Sequence, residues 1–432
     1  MQVKTNKNRK STKGFLYSKG LLNIAGINLN LSFYIAKRLS TGKHTGTSSL
    51  IIRIAVAGVG LSVAIMIISQ AIVKGYQLEI KNKITGFSTH IQISKLDLNN
   101  SLETIPIMTD TIMERMILKT PGVQSIQRFA TKPGIIKTSD EFEGIVLKGI
   151  DNHYNWNFLK HYLVEGDTLH FDSAVSNNLL VSRKLASTLK LKLHDRVTVY
   201  FVQDPPRARR FNVTGIYDTG FDEMDKLYVF ADMRQVQKLN NWFEGAITGY
   251  EIYVDDFTQV EKRVNDIVAY VPYNEKVQSS RDLYPELFDW LGLLDLNVIV
   301  IIILMVVVAC INMMTALLIL IVERSNMIGI LKALGMNNAG IGRIFLNMAA
   351  FLMLSGLFLG NLIGIGLCLS QQYGGWLKLP QESYFISQVP IRMETMDILL
   401  INIGSAVFCL LILMLPVRFV NRILPARVIR FE

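Results

Sequence analysis

Four stretches without a single Asp, Glu, Lys or Arg set the terms on which this 432-residue chain can fold. They run over 54–73, 296–322, 344–377 and 398–417, bounded by Arg53 and Lys74, Asp295 and Glu323, Arg343 and Lys378, and Asp397 and Arg418. About 20 apolar residues in a helix cross a hydrocarbon core, so each stretch is long enough to span one. A single run of this kind could be a buried core helix; four in one chain predict four transmembrane helices. The third is longer than needed, which places its last turn or two at the outer surface near Tyr373 and Trp376. The first starts some 50 residues into the chain and has no small-residue cleavage pattern behind it, so it reads as a retained anchor.

The charges divide between the two sides of these spans. Segments 1–53, 323–343 and 418–432 together hold 17 basic and 2 acidic residues. The 222-residue block 74–295 holds 26 basic and 30 acidic, and the loop 378–397 two and three. Short basic segments stay on the cytoplasmic face, because anionic lipid and the membrane potential oppose their transfer. Both termini are expected inside, with 74–295 and 378–397 outside. The formal charge of +10 therefore reflects juxtamembrane segments facing lipid headgroups, and nucleic acid is not an expected partner. Cys310, Cys368 and Cys409 all fall within predicted spans, so no disulfide can staple the exterior block.

In the basic cytoplasmic segment 1–53, residues 21–38 return apolar side chains at mixed three- and four-residue steps and predict an interfacial helix leading into the first span. Beyond that span, 74–84 continues as helix until Thr85-Gly86, followed by the alternating Thr89, Ile91 and Ile93 of a strand. Further strands are expected at 123–130, 134–138, 145–150, 178–181, 196–202, 211–217, 227–230 and 249–254. Helices are expected near 109–119, at 182–189 capped by Ser182, at 233–239 and at 257–268. The result is an α+β exterior domain of two subregions.

That domain offers little chemistry. Its histidines, His90, His153, His161, His170 and His194, are scattered, with no HExxH and no paired Cys/His ligands, and its carboxylates single out no acid–base pair. It reads as a binding or force-transmitting element, and no cofactor is expected in this chain. One local feature stands out, the connection Asp204-Pro205-Pro206-Arg207-Ala208-Arg209-Arg210, stiffened by two prolines and solvated by charge. It suits a projecting contact loop, with Asp204, Pro205, Pro206 and Arg207 as the candidate contact residues, or a plain β–β connection.

On the cytoplasmic side, 323–343 reads ERSNMIGILKALGMNNAGIGR. Met327, Ile330, Leu331 and Leu334 share one helical face, and Gly335 followed by Asn337-Asn338 marks the helix end. A bare connection needs only four or five polar residues, so a helix with an apolar stripe calls for a partner. The chain holds no GxxxxGK[ST] loop for nucleotide phosphates, and no lone Asp, Glu or Lys sits mid-span to couple ions. Energy for any transport must come from another subunit.

Several segments carry a family resemblance: NLSFYIAKRL, then IAVAGVGLSVAIMIISQAIVKGYQLEIKNKITGFSTHIQI at the first span and its exit, then VEGD, FNVTGIYDTGFDEMDKLYVFADMRQVQKL and ITGYEIYVDD in the exterior block. With ERSNMIGILKALGMNNAGIGRIFL after the second span, the chain resembles FtsX-type permeases of ABC transporters, and in detail the lipoprotein-releasing LolC/LolE family. The resemblance implies an α+β membrane protein of the bacterial inner membrane, with a large periplasmic α+β domain of MacB-like core type between transmembrane helices 1 and 2. It also implies a non-catalytic subunit that pairs with a second permease and with two copies of a LolD-like cytoplasmic ATPase, which holds the ATP and Mg. Lipoprotein is the implied cargo, passed from membrane lipids to a LolA-like periplasmic carrier. The coupling residues it implies are Glu323, Arg324, Met327, Ile328, Gly329, Ile330, Leu331, Lys332, Ala333, Leu334 and Gly335, and the segment Gly58 to Lys83 would line the lipoprotein entrance with the second span. The connection at 203–210 is shorter than the projecting hook of the carrier-recruiting family member, which points to the role of partner permease or to another docking surface. Alternatives are a MacB-like permease exporting a hydrophobic molecule or peptide, an FtsX-type cell-division permease regulating periplasmic hydrolases, and a surface enzyme.

Overall fold

The computed structural model describes residues 21–24, 27–30, 33–36, 47–97, 103–139, 141–380 and 384–418. The leader 1–20 and the tail 419–432 lie outside these residues. The chain divides into a membrane unit, residues 1–71, 298–369 and 393–432, and an inter-span domain, residues 72–297 and 370–392.

Ahead of the first span the structure corrects the helix expected over 21–38. Strands β1 (Leu21–Ile24) and β2 (Ile27–Asn30) pair antiparallel, with Leu22 opposite Leu29 and Ile24 opposite Ile27, and among the described residues of 21–38 only 33–36 is helical. The reason is a period of two: Leu22, Ile24, Ile27 and Leu29 alternate with Asn23, Asn28 and Asn30 around Ala25-Gly26, which is hairpin patterning.

Among the described residues, four helices are long and apolar enough to cross a membrane. The first, α1 (Thr47–Phe87), runs well past its charge-free stretch. The domain follows as β3 (Ile91–Lys95), β4 (Ile107–Met108), α2 (Thr111–Leu118), β5 (Val123–Lys137), β6 (Phe142–Ile150), α3 (Asn157–His161), β7 (Leu163–Gly166), β8 (Asn178–Ser182), α4 (Arg183–Leu189), β9 (Arg196–Phe201), β10 (Arg207–Tyr217), α5 (Asp222–Leu227), β11 (Tyr228–Asp232), α6 (Met233–Asn240), β12 (Ala246–Ile247), β13 (Gly249–Val254), α7 (Val260–Val268), β14 (Glu275–Ser279) and α8 (Ser280–Leu283). The chain then enters α9 (Pro285–Glu323), α10 (Ser325–Ala333), α11 (Asn338–Gly374) and α12 (Thr395–Val417).

One ten-stranded mixed sheet organises the domain, in the order β14-β3-β13-β5-β6-β11-β8-β10-β7, with β9 pairing both β10 and β5. Its alternation sorts side chains onto two faces. Ile145, Leu147, Leu179, Val181, Val229 and Ala231 join a core with α2, α4, α6 and α7. Ile150, Leu180 and Phe230 join a second core with Ile80, Ile84 and Phe87 of α1, Leu159 of α3 and Met224 of α5. The two strands expected at 123–130 and 134–138 are one, β5, running through Pro133-Gly134. Pro133 lies between the β13 pairing, which ends at Phe129, and the β9 pairing, which begins at Ile135. On that flank no ladder needs its missing N–H.

Small residues decide the packing of the membrane unit. Gly356, Gly360 and Gly364 of α11 recur every four residues and sit against Val59, Gly60, Val63 and Ala64 of α1; a Cβ on Gly360 would lie 2.6 Å from the Gly60 carbonyl oxygen. Such close backbone approach supplies the dispersion that holds helices together in lipid. Helices α11 and α12 are further tied by a reciprocal amide pair. Asn361 Nδ2 donates to Asn402 Oδ1 at 2.6 Å, Asn402 Nδ2 donates to Asn361 Oδ1 at 2.9 Å, and each Nδ2 also reaches the carbonyl four residues before it.

Candidate functional site

The segment after α9 folds as the 323–343 pattern predicts. Helix α10 spans Ser325–Ala333 and stops at Gly335, whose φ of +92° a side chain would resist. The amides of Leu334, Gly335 and Met336 donate back to the carbonyls of Ile330, Lys332 and Leu331, closing the last turn. The expected apolar face divides in two. Ile330 is 55% and Leu334 79% exposed, whereas Met327 and Leu331 are half-buried. Ile328, outside the predicted face, is the anchor: it is fully buried, with Gly329 buried beside it. Arg324 and Lys332 are half-buried, while Glu323, Ala333 and Gly335 are exposed. One turn apart, Ile330 and Leu334 present an uncovered apolar pair, a surface that gains free energy only when something covers it.

The structure places the four candidate contact residues of the Pro-rich connection differently from one another. Asp204, Pro205 and Pro206 are exposed at the tip of the β9–β10 hairpin. Arg207 already belongs to β10, opposite Phe201. Its guanidinium donates to the carbonyls of Lys238 at 3.0 Å and Leu239 at 2.8 Å and to Asn241 Oδ1 at 2.8 Å. It thereby caps the C-terminus of α6, whose closing residue Asn241 is left-handed.

Sequence reasoning did not find the polar centre of the domain. Lys148 and Glu251, on strands either side of β5, meet at 2.6 Å with side chains 3% and 2% exposed. Lys148 Nζ also donates to the Phe87 carbonyl at 2.7 Å, the end of α1, and lies 5.6 Å from the Phe129 ring centroid. Gln127 Nε2 donates to the second carboxylate oxygen of Glu251 at 2.9 Å, and the Asn155 amide donates to Gln127 Oε1. Burial pushes the Glu251 carboxyl up from its ordinary value, against the pull of the Lys148 ammonium and Gln127. The signal was a charge inside each of two apolar strands, GIVLKGI and GYEIYV; which charges would meet depended on the sheet order.

Further contacts fix the stalk, residues 72–87 of α1. Lys83, buried, donates to the carbonyls of Thr219 at 2.5 Å and Phe385 at 2.6 Å. Thr219 in turn donates through its hydroxyl to Asp225 at 2.8 Å, and burial raises that carboxyl to about 7. Phe385 has φ +59°, a state that costs a residue with a Cβ about 1–3 kcal/mol. A cavity of about 450 Å³ beside the stalk is lined by Glu79, Lys83, Tyr162, Asp218, Gln371 and Gln388 among others. Its wall also includes the apolar Ile386, Val389, Pro390 and Ile391. Within the membrane unit, Gly58 packs directly against Asn312 of α9, so these spans touch within one chain. No group of three or more His, Cys, Asp or Glu side chains among the described residues is placed to hold a metal.

A four-helix membrane unit with an α+β domain inserted after its first span defines the architecture of a transporter permease subunit. Comparison with known proteins gives the family. The FtsX-like permease C-terminal model matches residues 299–425, and the MacB-like periplasmic core domain model matches residues 54–270. The chain belongs to the FtsX/MacB family of ABC-transporter permeases. It is similar to the lipoprotein-releasing system transmembrane protein LolC of Buchnera aphidicola subsp. Schizaphis graminum, 24% identical over 89% of this chain and 94% of that protein. It is also similar to LolE of Haemophilus influenzae, 21% identical over 93% of this chain and 99% of that protein. Among solved structures, the periplasmic region of MacB from Actinobacillus actinomycetemcomitans aligns with a TM-score of 0.33 at 16% identity, covering 48% of this chain and 97% of that one.

Proposed function

We propose that this permease extracts lipoproteins from the inner membrane and passes them to a periplasmic carrier, driven by a separate cytoplasmic ATPase seated on α10. The observation that carries the ATPase coupling is the uncovered Ile330–Leu334 pair on a short helix between two spans. Similarity to LolC and LolE over nearly the whole of both chains supports lipoprotein as cargo. The basic leader, the 323–343 loop and the basic tail then face the cytoplasm, and the inter-span domain faces the periplasm.

The physics demands an energy source. Each buried CH₂ of an acyl chain contributes about 0.8 kcal/mol, so pulling two or three chains into water costs on the order of tens of kcal/mol. Passive release is far too slow at such a barrier. A second permease would supply the facing wall of the lipid-level entrance, since spans 1 and 2 of one chain already touch at Gly58 and Asn312.

The test reconstitutes the permease with its ATPase and an acylated lipoprotein in proteoliposomes, adds a soluble carrier, and follows ATP-dependent release. Release by the wild type, and loss of both ATPase binding and release in Ile330→Glu/Leu334→Glu, is the expected result. Intact ATPase binding by the double variant would sink the coupling assignment. Absence of any wild-type release, with an outer-membrane channel and adaptor co-purifying in place of a soluble carrier, would redirect the cargo reading to export.

A further inference from the structure

The chain passes between the membrane unit and the domain four times, at 71/72, 297/298, 369/370 and 392/393. On the domain side these crossings lead into the stalk of α1, the first turns of α9 and the segment 370–392. Side chains of the stalk bind both of the others. Gln77 Nε2 donates to the Leu291 carbonyl of α9 at 2.9 Å, and Tyr76 Oη donates to the Tyr384 carbonyl at 3.1 Å. A Cβ on Gly75 would strike the Pro390 carbonyl, so the backbones are in contact there. Lys83 makes the innermost tie, with one ammonium bridging the Phe385 and Thr219 carbonyls at 4% residual exposure.

The residue it holds is the one described residue of this segment with a Cβ and a left-handed backbone. Phe385, at φ +59°, has its carbonyl on Lys83 and its ring edge-on to Phe221 at 5.1 Å. A residue with a Cβ keeps that conformation only where its surroundings hold it. A buried ammonium with two carbonyl acceptors is a strong, directional holder.

We infer that Lys83 is a positioning residue of the transport cycle: it latches segment 384–391, in a strained backbone state, to the stalk and to the Thr219 turn, so that all four crossings move together. Without the latch the strain at Phe385 relaxes, the segment detaches, and movement of one crossing no longer reaches the others. This rests on the permease assignment and not on the identity of the cargo.

The experiment uses the full permease with its ATPase in lipid nanodiscs and reads hydrogen exchange segment by segment. Lys83→Met is expected to speed exchange at 384–391 by roughly tenfold or more while β5 and β6 keep wild-type protection. In proteoliposomes the same variant is expected to release cargo at least about fivefold less per ATP hydrolysed, with basal hydrolysis retained, and Lys83→Arg restores part of the loss. Phe385→Gly and Phe385→Val keep the latch testable if Lys83→Met does not fold. Both lose the ring contact and differ in tolerance of φ +59°, so only the valine variant should lose protection at 384–391. Wild-type exchange in Lys83→Met, equal protection in the glycine and valine variants, or release and hydrolysis falling in proportion would each overturn the inference. A wild type that releases no lipoprotein is a separate failure, of the cargo reading; the exchange results stand without it.

Discussion

Removing Lys148 is predicted to do more damage than removing Lys148 and Glu251 together. In Lys148→Met the Glu251 carboxylate stays 2% exposed, loses its 2.6 Å partner and keeps only Gln127 as donor. Leaving one member of a buried pair uncompensated costs about 3–5 kcal/mol. In Lys148→Met/Glu251→Met no buried charge remains. The lost donor to the Phe87 carbonyl is common to both variants, so what the double variant adds is only the lost acceptor for Gln127, about 1–3 kcal/mol for an orphaned group. The double variant is therefore expected to be more stable than the single by about 2 kcal/mol.

The sign of the pH dependence follows from Glu251. Its folded-state pKa is already raised by burial, and loss of the ammonium removes the largest opposing influence. The folded single variant then holds a proton that the unfolded chain has released above the ordinary carboxylate range. Its stability must fall as pH rises through that window, by at most about 1.4 kcal/mol per unit, so the penalty is larger at pH 8 than at pH 5. Native cysteines 310, 368 and 409 all lie in spans, so a single cysteine at Ala231, buried in the sheet, reports domain opening by its labelling rate, normalised to the unfolded chain at each pH. At pH 8 the single variant should label about 10²–10³ times faster than wild type. Wild-type labelling at pH 8, a double variant as labile as the single, or a pH-independent penalty would refute the reasoning.

Gly360→Leu places its Cβ on the Gly60 carbonyl and should lower the thermal stability of the detergent-solubilised protein, by about 1–3 kcal/mol or more, whereas Gly366→Leu, with nothing within 4 Å of its Cβ, should not. Equal melting curves for the two variants would remove close α1–α11 packing as the cause. Asp225, raised to about 7, makes the wild-type domain lose stability as pH climbs from about 4 through 7, because the folded state keeps the proton longer; Asp225→Asn should flatten that slope in the Ala231→Cys labelling assay.

What could be read in advance was what period and punctuation encode locally. Alternation placed β6, β8 and β13, and Ser182 caps its helix by accepting the Leu185 amide at 3.1 Å. Charge-free length and inserted domain together gave the α+β membrane architecture. Misreadings arose where two periods competed or where a neighbour decided. Residues 21–30 fit helix and hairpin spacing alike, and Pro133 is tolerated because one flank of β5 is unpaired there. β10 begins at Arg207, four residues before the apolar start at Phe211, because β9 offers a partner as far as Phe201. Lys83, Lys148 and Glu251 were illegible for a deeper reason: their partners lie 136, 61 and 103 residues away or more, and three of the acceptors, on Thr219, Phe385 and Phe87, are main-chain carbonyls that no sequence pattern marks.

The kind of contact at the stalk bears on what the domain can transmit. Apolar packing of Ile80, Ile84 and Phe87 into the sheet supplies non-directional free energy, which tolerates sliding and rotation. Two ammonium groups aimed at carbonyls do not, because such bonds weaken steeply with angle. Lys148 fixes the last turn of α1 to the sheet, and Lys83 fixes the previous turn to the Thr219 turn and to Phe385. The apolar core holds the stalk in the domain, and the two lysines set its register. In the proposed cycle, where the stalk passes on displacement, it needs the second as much as the first, since a stalk free to turn in its socket would dissipate the movement.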